Sequence, residues 1–294
     1  MKYLIINADD FGYCPKRNAA IIDLFRAGRI TSTSLLVNGL FAHEACQLSN
    51  TYRIPMGLHL NLTEGKPVTI DLSLVHTLVN DKNLFHGKLG LRNALEKGHI
   101  NIKHIEHEIY SQLRLFQTLS GQIPQHIDSH QHIHVHPNIV NQVCKISNEF
   151  GVKRIRAPVD EIISHTLDEM NSFYTKIVNQ TLSSFEIFDK YSLKYPSYFI
   201  GMAIMGKNMT LDSLKISIEA NKNKMTASNT VCEFMCHPGF PSDPCNGGCS
   251  FEGPDDFSQS HERQHEYDLL SSNEFSKLLN SYNIELCLYN KIDK

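Results

Sequence analysis

The sequence predicts a single α/β domain over residues 1–294, folded as a parallel (β/α) barrel. Seven or eight short apolar segments alternate with segments of helical periodicity, which is typical of βα units repeated around a parallel sheet. No glycine-rich GxGxxG motif or phosphate-binding loop follows any apolar segment, which disfavours a nucleotide-binding doubly wound sheet. A chain of 294 residues also has an ordinary length for one α/β barrel.

The first half of the chain contains four predicted strands. Residues 3–7 are an apolar run, followed by a helix over 16–27 in which apolar side chains recur at helical spacing and Gly28 can end the helix. Strands over 32–37 and 55–62 flank a helix over 41–48. Residues 63–98 are weakly periodic and predict an inserted loop with a short helix that could cover a site. A long amphipathic helix over 102–119 precedes the fourth strand at 125–128.

The second half continues the alternation. A helix with proline in its first turn is predicted over 137–150, and a short strand over 153–157. Residues 158–195 are mostly helical in pattern, 198–205 are strand-like and 213–222 are helical. Residues 230–236 predict a strand, and the Cys- and Gly-rich residues 238–258 predict a loop. The last predicted elements are a helix over 261–279 and a strand over 284–289.

The composition excludes several functional classes. With 28 basic and 31 acidic residues the net charge is −3, so nothing favours binding to nucleic acid or to an anionic membrane surface. No apolar run approaches the ~20 residues of a transmembrane helix, and the N-terminal run is too short for a secretory signal. We therefore expect a cytoplasmic protein whose eight cysteines are reduced. Structural zinc at the Cys232–Cys236 and Cys245–Cys249 pairs is a weaker alternative.

Polar side chains interrupt the apolar pattern at the carboxyl ends of the predicted strands. They are Asp9 and Asp10 after the first strand, His59 near the end of the third, His126, Asp128 and His130 at the fourth, Arg156 at the fifth and His237 after the seventh. The residues at the fourth strand belong to a dense cluster that holds five of the 16 histidines. Because strand ends converge on one face of a parallel barrel, which holds the active site, these side chains are expected to meet.

The residue types indicate metal-dependent hydrolysis. One carboxylate and two neutral imidazoles suit a catalytic divalent metal, and the adjacent Asp9 and Asp10 point in different directions, so one can bind the metal while the other moves a proton. A metal-bound water has a lowered pKa and can attack a carbonyl that the metal polarises. His237 can then protonate the leaving group, and Arg156 can orient a carboxylate or balance its charge. Each residue alone has a simpler explanation, such as a turn or a buried core histidine.

Six motifs in order resemble the YdjC-type carbohydrate deacetylases, the family that includes chitooligosaccharide deacetylase. They are NADDFG at 7–12, TSTSLLVNG at 31–39, GLHLNLTEG at 57–65, HIDSHQHIHVHP at 126–137, RIRAP at 154–158 and EFMCHPG at 233–239. The downstream segment GGCSFEGPDDFSQSHERQHEYDLL at 247–270 is similar to the tail of the animal members. The Cys- and Gly-rich residues 245–257 differ from the bacterial pattern, which leaves the choice of substrate open.

The resemblance implies a distorted, TIM-like (β/α) barrel related to the NodB polysaccharide deacetylases. It implies that an N-acetyl group is hydrolysed from an amino sugar or chito-oligosaccharide with one divalent ion, often Mg²⁺. Asp9 would be the proton acceptor and His237 the general acid. The implied metal ligands are Asp10, His59 and His130. The implied supporting or substrate-facing residues are His126, Asp128, His132, Arg156 and Glu233.

Several alternatives stay open. Two imidazoles and one carboxylate fit Zn²⁺ or another transition metal at least as well as Mg²⁺. The chain could instead be a divalent-metal hydrolase of another amide or ester, although the amidohydrolases usually carry a His-x-His pair where Asp9 and Asp10 stand. A non-catalytic carbohydrate-binding barrel is a further hypothesis, which the intact candidate ligands disfavour. A homodimer is also left open.

Overall fold

The protein is described from a computed structural model over residues 3–163, 169–222, 230–250 and 253–293. Residues 164–168 of the predicted helical stretch and residues 251–252 of the predicted loop lie outside this range. No helix within the described ranges has both the length and the apolar character needed to cross a bilayer.

A curled sheet of parallel strands forms the centre of the molecule. Its strands are β1 (Tyr3–Phe11), β2 (Ser32–Leu35), β3 (Met56–Leu60), β4 (Ile127–Ser129), β5 (Tyr198–Ile200), β6 (Val231–Cys236) and β7 (Glu285–Leu286). The order is β4-β3-β2-β1-β6-β5, with β7 beside β1. Residues 154–160 link the two edges, because Ile155 bridges to Ile127 in β4 and Asp160 bridges to Phe199 in β5. The predicted distorted barrel is therefore confirmed, and the distortion lies at this seam.

Strand β1 has partners on both edges. Strand β6 pairs with it from Tyr3 opposite Val231 to Ala8 opposite Cys236. The other edge is shared, since β7 pairs with the first residues of β1 and β2 pairs with residues 7–11. Both carboxylates of the NADDFG motif consequently lie on the most central strand of the sheet.

Eleven helices are seen in the described ranges. They are α1 (Pro15–Arg26), α2 (Ala42–Tyr52), α3 (Gly87–Glu96), α4 (Ile102–Ser120), α5 (Val140–Glu149), α6 (Glu169–Leu182), α7 (Phe185–Lys190), α8 (Leu211–Lys222), α9 (Asp256–Gln259), α10 (Glu262–Ser271) and α11 (Asn273–Ser281). Helix α4 is capped at its start by Asn101, whose side chain accepts a hydrogen bond from the Lys103 N–H, and at its end by Gly121, which has φ +69°. Its buried face packs against α2, α5 and β3.

Four predicted elements differ from the observed ones. The first strand extends to Phe11, so Asp9 and Asp10 lie within it and not after it. The predicted strand at 153–157 forms only isolated bridges. The strand-like stretch 198–205 is a strand only to Ile200, because the Asp160 carboxylate accepts the next backbone N–H groups, at Met202 and Ala203. The final strand is two residues long and is followed by a 3₁₀ helix over Tyr289–Asp293.

Helix boundaries also differ near the C-terminal end. The helix predicted over 261–279 is broken into α10 and α11, because the Ser272 hydroxyl caps a new helix by accepting from the Phe275 N–H. The predicted loop 238–258 ends in the short helix α9, which is capped by Asp255. Residues 63–98 contain two 3₁₀ turns, Leu72–Leu74 and His76–Leu78, before α3, in agreement with a mostly irregular insertion.

Candidate active site

An irregularity in β1 separates its two carboxylates. The pairing of β1 with β2 shifts register between Ala8 and Phe11, and Asp10 has φ +64°. A non-glycine residue held in this region carries about 1–3 kcal/mol of strain, which marks functional sites more often than ordinary strands. The result is that Asp9 faces Arg156, whereas Asp10 faces a different set of side chains.

Asp10, His59 and His130 form a compact group whose potential ligand atoms all lie within 4.8 Å of one another. The Oδ1 atom of Asp10 is 3.3 Å from His59 Nε2 and 3.2 Å from His130 Nδ1. Its other oxygen accepts from Arg17 Nη1 at 2.6 Å. Burial opposes ionisation, but the bonds to His130 and His59 and the charge of Arg17 hold the pKa of Asp10 well below its usual range. Three donors from β1, β3 and the end of β4 could therefore hold one cation.

Each of the two imidazoles has a carboxylate on its outer nitrogen. His59 Nδ1 lies 2.8 Å from Asp128 Oδ1, and His130 Nε2 lies 2.9 Å from Glu64 Oε2. Burial alone would lower both pKa values, but neighbouring carboxylates raise the pKa of His59 to about 9 and that of His130 to about 10. Such carboxylates fix the ring orientation and the tautomer, so that the inner nitrogen faces Asp10.

Arg156 joins three carboxylates behind the site. It is fully buried and donates to Asp9 from Nη1 at 2.6 Å and from Nη2 at 2.7 Å. Its Nη2 also lies 2.9 Å from Asp128 Oδ2, and its Nε donates to Glu233 Oε1 at 2.6 Å. Despite burial, these carboxylates raise the pKa of Arg156 well above its usual value. Arg156 thus contacts Asp9, and Asp128 contacts His59. Neither Arg156 nor Asp128 lines the cavity, and Glu233 does not line it either.

His237 faces Asp9 across the site. Its Nε2 lies 3.9 Å from Asp9 Oδ2. Its peptide is held on both sides by α10, since the N–H donates to Glu266 and the carbonyl accepts from Arg263 Nη1 at 2.9 Å. Burial and the charge of Arg263 lower the pKa of His237 to about 4, so this imidazole is neutral at pH 7.

The two other predicted histidines occupy different places. His126 is fully buried, stacks on Tyr289 with ring centroids 3.7 Å apart, and has Nε2 at 3.4 Å from Asp128 Oδ2. His132 lines the cavity and packs edge-on against Phe199. Burial and Arg156 lower the pKa of His132 well below its usual range. His126 therefore lies beside Asp128 and away from the cavity, whereas His132 faces the cavity.

A cavity of about 490 Å³ opens onto these groups. From the predicted set, its wall includes Asp9, Asp10, His59, His130, His132 and His237. The wall also includes aromatic and charged side chains, among them Tyr13, Phe173, Tyr174, Phe257, Lys88, Lys207, Asp255 and Glu262. Rings beside charged and polar groups are suited to a ligand with both apolar faces and hydroxyl groups.

Two residues of the site were missed from the sequence. Glu64 follows β3 by four residues within the GLHLNLTEG motif, and its position after a strand end could have identified it. Arg17 lies in the first turns of α1, where a basic residue is ordinarily exposed, so no sequence signal indicated its burial.

Comparison with known proteins identifies relatives that cover most of this chain. The model of the family described as YdjC-like protein matches residues 3–281. A carbohydrate deacetylase from Xenopus laevis is 38% identical over 298 residues, covering 97% of this chain and 96% of that protein. A chitooligosaccharide deacetylase from Serratia marcescens is 34% identical over 242 residues, covering 81% and 82%. A crystal structure of a protein from Enterococcus faecalis V583 superposes with a TM-score of 0.71 at 22% identity and covers 98% of both chains, which supports the fold.

Proposed function

The chain belongs to the YdjC-like protein family, as its motifs predicted, and from this premise we propose that it is a hydrolase that removes acetyl groups from carbohydrates. Relatives that cover most of the chain are named carbohydrate deacetylase and chitooligosaccharide deacetylase. The expected substrate is an N-acetylated amino sugar or chito-oligosaccharide. The observation that carries the proposal is the convergence of Asp9, Asp10, His59, His130 and His237 on one cavity.

We propose that Asp10, His59 and His130 hold one divalent ion. Their donor set fits such an ion, because a carboxylate oxygen and two imidazole nitrogens converge and the outer nitrogens are already occupied. When bound, the ion would supply Lewis acidity to the acetyl carbonyl and lower the pKa of a water molecule. The donor set suits Zn²⁺ or another transition metal as well as the Mg²⁺ that the family resemblance implies.

Asp9 is proposed to accept the proton of the attacking water. Arg156 binds both of its carboxylate oxygens and Asn7 Nδ2 donates to Oδ1 at 2.7 Å, so the carboxylate cannot rotate away. Its Oδ2 edge faces His237. This fixed orientation is what a positioned general base requires.

His237 is proposed to return that proton to the sugar nitrogen. Because its pKa is lowered to about 4, His237 begins the reaction neutral and must first receive a proton. Asp9 Oδ2, 3.9 Å from Nε2, is placed to supply the proton taken from water. The hydroxyl of that water adds to the acetyl carbon, the C–N bond breaks as the nitrogen gains the proton, and acetate and the free amine leave.

Acetate release from N-acetylated chito-oligosaccharides tests the proposal. We expect the wild type to release acetate, to lose this activity after chelation and to regain it with an added divalent ion. Asp9→Asn should lower kcat by about 10²–10⁴-fold, while calorimetry shows metal binding nearly intact because Asp9 is outside the ligand group. Asp71→Asn, which alters an exposed turn, is the control.

Two outcomes would contradict this assignment. Full activity in Asp9→Asn would show that Asp9 is not the base. Failure of the metal-loaded wild type to release acetate from any N-acetylated sugar would refute the deacetylase function itself. The cytoplasmic location and the homodimer stay predictions, to be checked by cell fractionation and light scattering.

A further inference from the structure

Glu64 lies directly behind His130 on the side away from Asp10. Its Oε2 is 2.9 Å from His130 Nε2, and its Oε1 accepts from the Tyr13 hydroxyl at 3.0 Å. We infer that Glu64 is a positioning residue that orients His130 for metal binding, and that Tyr13 ties this pair to the cavity wall at Asp255. This inference rests on the proposed metal site.

The turn that carries Glu64 is itself held tightly. The Asn61 side chain accepts from the N–H groups of Thr63 and Glu64 at 2.9 and 3.0 Å and donates to the Glu64 carbonyl at 2.8 Å. Gln112 on α4 in turn binds the Asn61 backbone, accepting its N–H at 3.0 Å and donating to its carbonyl at 2.6 Å. Two buried amides thus anchor the backbone at Glu64, and the contacts with His130 and Tyr13 hold its carboxylate.

The arrangement parallels the one at His59. There Asp128, a fully buried residue, contacts the outer nitrogen, as Glu64 does at His130. A carboxylate at this position keeps the proton on the outer nitrogen and leaves the inner one free to bind a metal. Without Glu64, the His130 ring could turn or change tautomer, and one of three ligands would be lost for part of the time.

Tyr13 extends the chain of hydrogen bonds to the substrate side. The Asp255 N–H donates to the Tyr13 oxygen at 2.9 Å, and the Tyr13 O–H donates onward to Glu64. The bonds point the same way, so each polarises the next. Because Asp255 and Phe257 line the cavity, the orientation of His130 is linked to the wall formed by the end of residues 238–258.

If Glu64 only held the segment in place, substitutions at another residue that anchors the same segment should weaken metal binding equally. Glu108 is such a residue and serves as the matched control. Glu108 is fully buried on α4 and accepts the N–H groups of Val68 and Thr69, at 2.8 and 3.0 Å, from the segment that follows Glu64. It anchors the same segment through its carboxylate, but it does not contact His130. A substitution at Glu108 therefore perturbs the segment without removing the partner of the imidazole.

The test measures Zn²⁺ affinity by calorimetry, with Zn²⁺ alone as the probe, and thermal stability of the metal-free proteins. Glu64→Gln should weaken Zn²⁺ binding about tenfold and Glu64→Ala up to about 100-fold, the range typical of such supporting groups. Tyr13→Phe should weaken it in the same direction by less. Glu108→Gln should lower the melting temperature and leave Zn²⁺ affinity within about twofold of wild type, since the ligand partners stay in place.

Three results would overturn the inference. If wild type binds Zn²⁺ and both Glu64 variants bind it equally well, the positioning role is wrong while the proposed metal site stands. If Glu108→Gln weakens Zn²⁺ binding as much as Glu64→Gln, Glu64 acts only by holding the segment. If wild type binds no divalent ion, the metal site proposed above fails, and this inference fails with it.

Discussion

Replacing Arg156 by lysine removes a planar fork and keeps the positive charge. The guanidinium of Arg156 contacts Asp9 with two nitrogens, Asp128 with one of these, and Glu233 with its Nε. A lysine ammonium is a point donor and cannot replace the separate contacts that Nε, Nη1 and Nη2 make with three carboxylates. We therefore expect Arg156→Lys to leave at least one buried carboxylate without a cationic partner.

The magnitude follows from the burial of this group. Arg156, Asp128 and Glu233 are fully buried and Asp9 is 1% exposed, so water cannot replace a lost contact. Removing one partner of a buried ion pair costs about 3–5 kcal/mol. At about 2 °C per kcal/mol for a chain of this size, the melting temperature should fall by about 6–10 °C. The carboxylate of Asp9 would also lose its fixed orientation, so kcat should fall as well.

The control for this experiment lies two residues away. Arg154 pairs with Asp293 at the surface, where the side chains are 16% and 40% exposed. Because this pair is partly exposed, its contribution should be about 1 kcal/mol, so Arg154→Lys should cost clearly less than Arg156→Lys. Urea unfolding is best followed by circular dichroism, because the chain contains no tryptophan. Equal losses of stability in the two variants would refute the argument that Arg156 is the buried counter-charge of the site.

Two further predictions concern the packing and titration of histidines. Gly57→Ala should destabilise the protein by about 1–3 kcal/mol, because its Cβ would lie 2.3–2.5 Å from atoms of the His126 ring, which is already stacked on Tyr289; an unchanged melting temperature would show that the ring has room to move. Burial lowers the pKa of His134 to about 4. As the pH falls below about 6.5, this histidine is protonated in the unfolded chain but stays neutral in the folded one, so the free energy of unfolding declines until about pH 4. Between pH 7 and pH 5 this amounts to about 2 kcal/mol, and urea unfolding of His134→Gln should lose that much less than wild type, whereas equal losses would contradict the linkage.

The candidate ligands could be predicted because they lie at or close to the carboxyl ends of parallel strands in one sheet. His59 and Asp128 are register partners on β3 and β4, which is why residues far apart in sequence share one site. Local periodicity is sufficient to find such positions, because a polar residue interrupts the apolar run near the end of each strand. The direction of each carboxylate was not predictable, because the left-handed backbone at Asp10 arises from the register shift between β1 and β2.

The contacts that could not be predicted from the sequence are those between buried charged or polar groups far apart in the chain. The sequence predicts that Arg156 orients a carboxylate, balances its charge or faces the substrate, but it does not identify the three carboxylates, on β1, β4 and β6, that contact the guanidinium. Periodicity within a short window cannot detect a balance that involves three strands. The same holds for Arg17, whose burial depends on Asp10, and for the early end of β5, which depends on the Asp160 carboxylate.

The shared edge of β1 has a consequence for how the protein is made. Tyr3 pairs with Val231 on one side and with Glu285 on the other, so most of the chain must leave the ribosome before the start of β1 has neighbours. Contacts of such sequence separation form slowly, and an unpaired central strand is open to association with other chains. The pairing of the start of β1 is therefore expected to finish only after β6 and β7 have been synthesised, although β1 precedes every other strand of the sheet in sequence.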